Sequence, residues 1–319
     1  MTLKEKKELF EQSCRVYESS VLTFTGVEGY DVYNTSIPFY AKGKQYLFGR
    51  VERRKEWARS FVRLFECTGK DRFRLVPDAP WYQLEDPYIS IIDKQLILGG
   101  THVRYQRSQI DTYYGYFYKG TKVNDLYYYT TGPDYMKDIR MVKLTDGRIG
   151  VFSRPRNEEI MKKYQCESMI GFSVIESIEE LSGEVIENAP YISGMFGKGE
   201  WGGCNQCYLL ESGKIGVIGH KCYKDEEKDR SVYLNISFIF DAKTHQASEE
   251  KIIGTRSLYP AGPAKKNSLK DCAFSSGIVM RKDGKADLYS GIGDCMEGRI
   301  VIDYPFASQG KICSSFILE

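Results

Sequence analysis

No stretch of the 319-residue chain approaches the roughly 18 consecutive apolar residues of a membrane-crossing helix, so no membrane partner is expected. The opening residues, Met1 to Ser13, are rich in Lys and Glu and lack the apolar core of a secretory leader, which points to a cytoplasmic protein. An excess of one charge is also missing. The 45 Lys and Arg against 43 Asp and Glu leave a net charge of +2, without the basic excess of a nucleic-acid binder. Histidine is scarce, at three residues, and no pair has metal-ligand spacing, so no catalytic metal is expected. Nine cysteines are present, but Cys204 and Cys207 form a C-x-x-C without a second one, too few ligands for a structural zinc site. In a reducing compartment they read as free, buried thiols near a strand start. There is no phosphate-binding Gly-rich loop in a strand-to-helix setting and no GxSxG elbow. Nucleotide-fold and Ser-His-Asp chemistries are thereby excluded, and no cofactor is expected.

What is abundant is aromatic. There are 24 Tyr and 16 Phe beside 30 Gly. Aromatics favour strands and Gly favours tight turns, a combination that suits an all-β protein. The length allows two ordinary domains or one large repetitive one.

A repeat decides for the second. Five segments read as strand, short polar turn, strand, with turns beginning at Lys42, Asp93, Asp146, Ser212 and Asp283. Their separations are 51, 53, 66 and 71 residues (93 − 42, 146 − 93, 212 − 146, 283 − 212). Such a period, with further strands at Val62–Glu66, Thr112–Tyr118, Met169–Ser173 and Val232–Phe240, fits propeller blades. The expected fold is a five-bladed β-propeller over residues 17–319, preceded by a helical segment at 1–16 whose helix runs from Leu3 towards Tyr17.

A polar cluster precedes each copy: Asp31 to Asn34, Glu85-Asp86-Pro87, Lys137 to Arg140, Gly203 to Asn205, and Lys270-Asp271-Cys272. In a propeller the innermost strand of each blade starts at one rim of the central channel. The five clusters are therefore expected to meet there as a ring of carboxylates, amides and cations.

Several of these segments resemble a known group of enzymes. Glu85-Asp86-Pro87 followed by Tyr88-Ile-Ser-Ile-Ile is similar to the EDPRI element of the glycoside hydrolase family 130 β-mannoside phosphorylases. Lys137-Asp-Ile-Arg140, Phe152-Ser-Arg-Pro155 and Leu288-Tyr-Ser-Gly-Ile-Gly-Asp294 resemble further elements of that family. Tyr88 stands where the family has Arg, and Asn34-Thr-Ser where it has an Asn-Pro start. The overall form resembles more closely the domain-of-unknown-function family 1861, grouped with glycosyltransferase family 108, which includes β-1,2-mannosyltransferases and phosphorylases.

The resemblance implies an inverting β-mannoside phosphorylase or mannosyltransferase. Its partners would be a mannoside oligosaccharide and inorganic phosphate, mannose 1-phosphate or GDP-mannose. An inverting hydrolase needs two carboxylates, whereas a phosphorylase replaces the base by a bound anion. Asp86 is the expected general acid, which requires its pKa to be raised. Arg140, Arg154 and His220 are the expected phosphate ligands, with Lys137 and Lys221 as weaker candidates. Asn34, Arg50, Asp138, Asp271 and Asp294 are expected to bind sugar hydroxyls, and Trp201 to offer a stacking face. Two other readings remain open at this stage: a non-catalytic propeller that binds a glycan or protein, and a β-glycosidase of the same shape. Cations converging on one point separate the first reading from both.

Overall fold

The structure is a computed structural model that describes residues 1–57, 59–106 and 109–319. It is all-β apart from a few short helices, and its strands form five separate sheets in a β-propeller arrangement. Among the described residues, pairing within the sheets is antiparallel except for two short parallel pairs in the first.

The hairpins lie where the polar turns predict them, for local reasons. Lys42-Gly43 and Asp93-Lys94 are two-residue turns with φ positive at both positions (47° and 75°, 49° and 62°), the twist that matches paired strands. The other three place Gly147, Gly213 and Gly284 in the left-handed region. There Asp146, Ser212 and Asp283 each accept a hydrogen bond from the backbone N–H two residues on.

The chain ends lock the ring. Glu18–Val21 pairs with Met296–Asp303 of the last sheet, and Ile317–Leu318 pairs with Phe39–Ala41 of the first. Between sheets the core is aromatic and aliphatic, with Tyr33, Phe39, Phe48, Phe152, Tyr208 and Phe306 fully buried. Tyr208 joins the fourth and fifth sheets: its hydroxyl accepts from Ile278 N (2.7 Å) and donates to Ile278 O (2.9 Å).

The N-terminal helix, Leu3–Ser13, is shorter than expected. Tyr17 N already donates to Val301 O (2.9 Å), which draws the chain into the last sheet. Thr2 and Glu5 close the helix start as a capping box, and Leu3 packs on Val232 and Leu234 of the fourth sheet. Two short helices, Glu158–Tyr164 and Gly183–Glu187, fill the connections of the third sheet and lengthen its repeat. Among the described residues no helix is long and apolar enough to cross a membrane.

Candidate functional site

The residues that enter the inner strands are set by unusual backbone. Asn34, Asp86 and Asp138 are left-handed (φ 47°, 50° and 55°), a conformation that Asn and Asp tolerate better than other side chains. Strand register slips around Asp86, Asn205 and Ser276. Such bulges re-aim side chains at sheet ends. The fifth sheet's counterpart of Asn205 is therefore Ser276, not Asp271. Asp271 does not line the cavity, and its carboxylate is taken by Arg230 (2.9 Å).

All five sheets contribute to one cavity of about 440 Å³. Asn34 and Arg50 come from the first sheet, Glu85 and Asp86 from the second, and Asp138 and Arg154 from the third. Trp201 and His220 come from the fourth, Phe274 and Asp294 from the fifth. Asp86 Oδ1 accepts from Asn34 Nδ2 (2.7 Å) and Arg50 Nη1 (2.9 Å). Arg50 also donates to Glu85 (3.1 Å), which Lys137 meets from the other side (3.1 Å). Asp138 receives Arg154 Nη1 on one oxygen and Arg140 Nη2 (3.3 Å) on the other. Arg154 lines the cavity, and among the described residues its buried Nε has no hydrogen-bond partner.

Arg140, expected among the phosphate ligands, is turned away from the cavity. It is 3% exposed, does not line the cavity, and spends its guanidinium on Asn205 O (2.6 Å), Ile139 O (3.0 Å) and Asp138 while stacking on the Tyr88 ring. It braces Asp138 from behind. His220 does line the cavity, with Nδ1 2.7 Å from Asn205 Oδ1. Burial, helped by Arg154 and Arg140 and opposed by Asp138, pushes its pKa down to about 3. It enters the site as a neutral hydrogen-bonding ring, not as a third cation. Lys221 is held away from the cavity by Glu200 and Glu250. After the first hairpin the chain runs Arg53-Arg54-Lys55, where Arg54 pairs with Asp31 and Arg53 lies over Tyr30.

The carboxyls of the cavity are pushed apart in acidity. Burial works to raise Asp138, but Arg154 and Arg140 outweigh it and hold the pKa at about 2. Burial likewise opposes ionisation of Asp86, and Arg50, Lys137 and Asn34 overcome it, so its pKa lies below the ordinary value. The raised pKa expected for Asp86 is therefore not what its surroundings impose. Asp294 goes the other way: burial first, then Asp86 and Glu85, lift it to about 6 against Arg50 and Lys265.

Sequence reasoning missed the rim of the cavity, where Trp57, Tyr113, Arg156 and Lys266 stand. It also passed over Ser276, although the spacing of the last two turns held the signal. The turns at Ser212 and Asp283 are 71 residues apart (283 − 212), and the same step from Asn205 reaches Ser276.

Glu297 was missed altogether. It is fully buried behind Asn34, accepting from Thr35 N (3.2 Å) and bonded to Ser276 Oγ (2.7 Å). Burial lifts its pKa to about 8, against the bonds from Ser276 and Thr35. A carboxyl raised on folding stabilises the fold below its unfolded pKa, and that stability is lost as pH rises towards the folded pKa. Glu297→Gln is therefore expected to match the wild type in urea unfolding at pH 5 and to be more stable at pH 8, by on the order of 3 kcal/mol. Equal stabilities at both pH values would show that Glu297 is ionised throughout.

Among the described residues no cluster of His, Cys, Asp and Glu is arranged to hold a metal, and Cys204 and Cys207 are free and buried.

Fold and site together define a β-propeller whose central cavity pairs hydrogen-bonded carboxylates with a partly unpartnered guanidinium. The chain belongs to the DUF1861 family, described as "Protein of unknown function", whose model matches residues 8–308. It is 52% identical to MPT-4, a mannose phosphorylase from Leishmania mexicana solved in complex with phosphate ion. That match covers 99% of this chain and 98% of the other, with a TM-score of 0.94. It is 43% identical to MPT-1, a GDP-Man-dependent mannosyltransferase from Leishmania mexicana (99% and 98% covered, TM-score 0.91). A β-1,2-mannobiose phosphorylase from Listeria innocua shares the fold at 15% identity (86% and 91% covered, TM-score 0.61). No curated protein matches the chain.

Proposed function

We propose that this protein is an inverting β-mannoside phosphorylase and mannosyltransferase. It moves a mannosyl group between a β-1,2-linked mannoside and phosphate, with mannose 1-phosphate or GDP-mannose as the activated form. Each of the five sheets serves as one blade, residues 17–319 form the catalytic propeller, and residues 1–16 are the helical segment beside it.

The observation that carries this reading is Arg154. A guanidinium that lines the cavity with one N–H unsatisfied among the described residues, fixed by Asp138 and flanked by the His220 ring, is suited to hold an anion. A lectin or hydrolase has no use for it. The 52% relative that was solved with a phosphate ion is a mannose phosphorylase, and the 43% relative uses GDP-Man.

Phosphate, held by Arg154 and His220, attacks the anomeric carbon from the face opposite the departing sugar. Asp86 stands at the reacting bond. As a carboxylate it takes the proton of an acceptor hydroxyl in synthesis; protonated, it gives that proton to the departing oxygen in phosphorolysis. Asn34, Arg50 and Asp294 orient the sugar hydroxyls, and Asp138 keeps Arg154 in place.

The test is to offer mannobiose as acceptor with either mannose 1-phosphate or GDP-mannose. Longer mannosides from at least one donor are expected. Release of free mannose without elongation would assign the site to hydrolysis instead.

A further inference from the structure

Few of the 24 tyrosines line the central cavity. A group of them stands elsewhere, in a row on the second sheet. There the strand Gln109–Lys122 lies between Gln95–Gln106 and the outermost strand, Asp125–Asp134. Tyr114, Tyr116 and Tyr118 alternate along the middle strand and therefore share one face. His102 stands opposite Tyr114 in register. Ring centroids follow one another at 5.3 Å (His102 to Tyr114), 6.2 Å (Tyr114 to Tyr116) and 5.3 Å (Tyr116 to Tyr118), with Tyr128 4.8 Å from Tyr116. Neighbouring planes are tilted by 35–44°, so the rings overlap like shingles.

A bulge brings Tyr128 into the row. Phe117 pairs with Thr130 but Tyr118 with Tyr128, which leaves Tyr129 as the extra residue. Tyr129 turns to the opposite face, where Lys119 lies 4.0 Å over its ring and its hydroxyl donates to Ile178 O. Tyr116 and Tyr118 rest against the main core, and Tyr118 also meets the buried Tyr82 ring at 4.6 Å. The rings are thus held in place before any ligand arrives, which removes most of the ordering cost of binding. Tyr114, Tyr116 and Tyr118 remain half-exposed, and Tyr128 is 51% exposed.

We infer that this row is a second carbohydrate site, which holds a run of neutral sugar residues of a long oligomannoside on the outside of the cavity wall. That the sugar is mannose rests on the phosphorylase reading; the shape and chemistry of the row do not.

Three observations favour a glycan over a protein partner. No Lys, Arg, Asp or Glu stands among the five rings, and the neighbouring strand adds only Leu98 and Gly100 opposite Tyr118 and Tyr116, which suits an uncharged ligand. Among the described residues between 95 and 134, the large hydrophobic side chains left exposed are Tyr127, Tyr128 and Tyr135, with no exposed Leu, Ile, Met or Phe beside them. The row is also continuous with the catalytic cavity. Val103 and Tyr113, each one position along from His102 and Tyr114 on the same two strands, line the cavity from the other face.

A pyranose has a flat face of C–H groups that packs on an aromatic ring while the hydroxyls at its rim stay hydrated. One such contact is weak. Several in line hold a chain that is long enough to span them, so the row selects by length. A chain held there keeps its ends close to the cavity and raises their effective concentration.

The test is electrophoresis of the whole protein through a gel containing β-1,2-mannan, without phosphate and with mannobiose added to fill the cavity. Retarded migration of the wild type is expected. Tyr116→Ala/Tyr128→Ala is expected to bind the mannan roughly tenfold more weakly, the worth of two aromatic contacts. It should turn over mannobiose at the wild-type rate, since neither ring lines the cavity. Should the double variant fail to fold, Tyr128→Ala removes the exposed ring alone, with an expected loss of roughly threefold. Retardation that mannobiose abolishes, or that is equal in the wild type and Tyr128→Ala, overturns the inference. So does a wild-type dimer in sedimentation that Tyr128→Ala dissociates, which would make the row an interface between two copies. Failure of the phosphorylase reading looks different: retardation that the variants lose, in a protein that never cleaves mannobiose with phosphate, supports the row and overturns that reading.

Discussion

Asp86→Asn is expected to fold normally, bind a mannoside and lose about 10²–10⁴-fold in turnover, the usual worth of a positioned acid or base. The substitution is clean for the backbone. Asp86 has φ of 50°, and Asn is the other residue that tolerates this region well. The side-chain oxygen of Asn can still accept from Asn34 and Arg50, which hold Asp86 at 2.7 Å and 2.9 Å. What disappears is the ability to carry a proton. The deficit should therefore shrink with an aryl mannoside whose leaving group hardly needs protonation. Near-normal turnover on unactivated mannobiose would remove Asp86 from the chemistry. Loss of the fold would mean that its bonds to the first sheet are structural.

Arg154→Ala should raise the KM for phosphate by roughly 10–150-fold, the equivalent of the 1.5–3 kcal/mol of a charge-assisted bond, and that for the mannoside far less. Arg154 offers the anion a planar fork whose Nε is unpartnered, and Ala removes the charge and both arms. Asp138 keeps Arg140 at 3.3 Å, so the third sheet retains its internal pair. Its carboxyl, held at about 2 against burial largely by Arg154, should titrate at higher pH in the variant. Equal effects on both substrates would show that Arg154 only supports Asp138.

The parts legible in the sequence were local ones. Turns such as Asp146-Gly147 carry their own conformation, so five hairpins and their spacing could be read without knowing their neighbours. Asn34, Asp86 and Asp138 followed because they sit seven or eight residues before those turns (42 − 34, 93 − 86, 146 − 138). What could not be read depends on contacts between sheets. Arg140 and Arg154 look alike in sequence, yet Arg140 turns into the wall because the Asn205 carbonyl of the next sheet receives it. The acidity of Asp86 is set by Arg50 and Lys137, which come from 36 residues before it and 51 after it (86 − 50, 137 − 86). Glu297 carries no motif, and its place behind Asn34 exists only once the last sheet meets the first.

The most direct measurement of the central claim is ³¹P NMR of the purified protein with β-1,2-mannobiose and inorganic phosphate. The account predicts that mannose 1-phosphate appears as the α-anomer, in step with mannose, and only when phosphate is present. Mannose released at the same rate without phosphate, or a β-phosphate product, would contradict it.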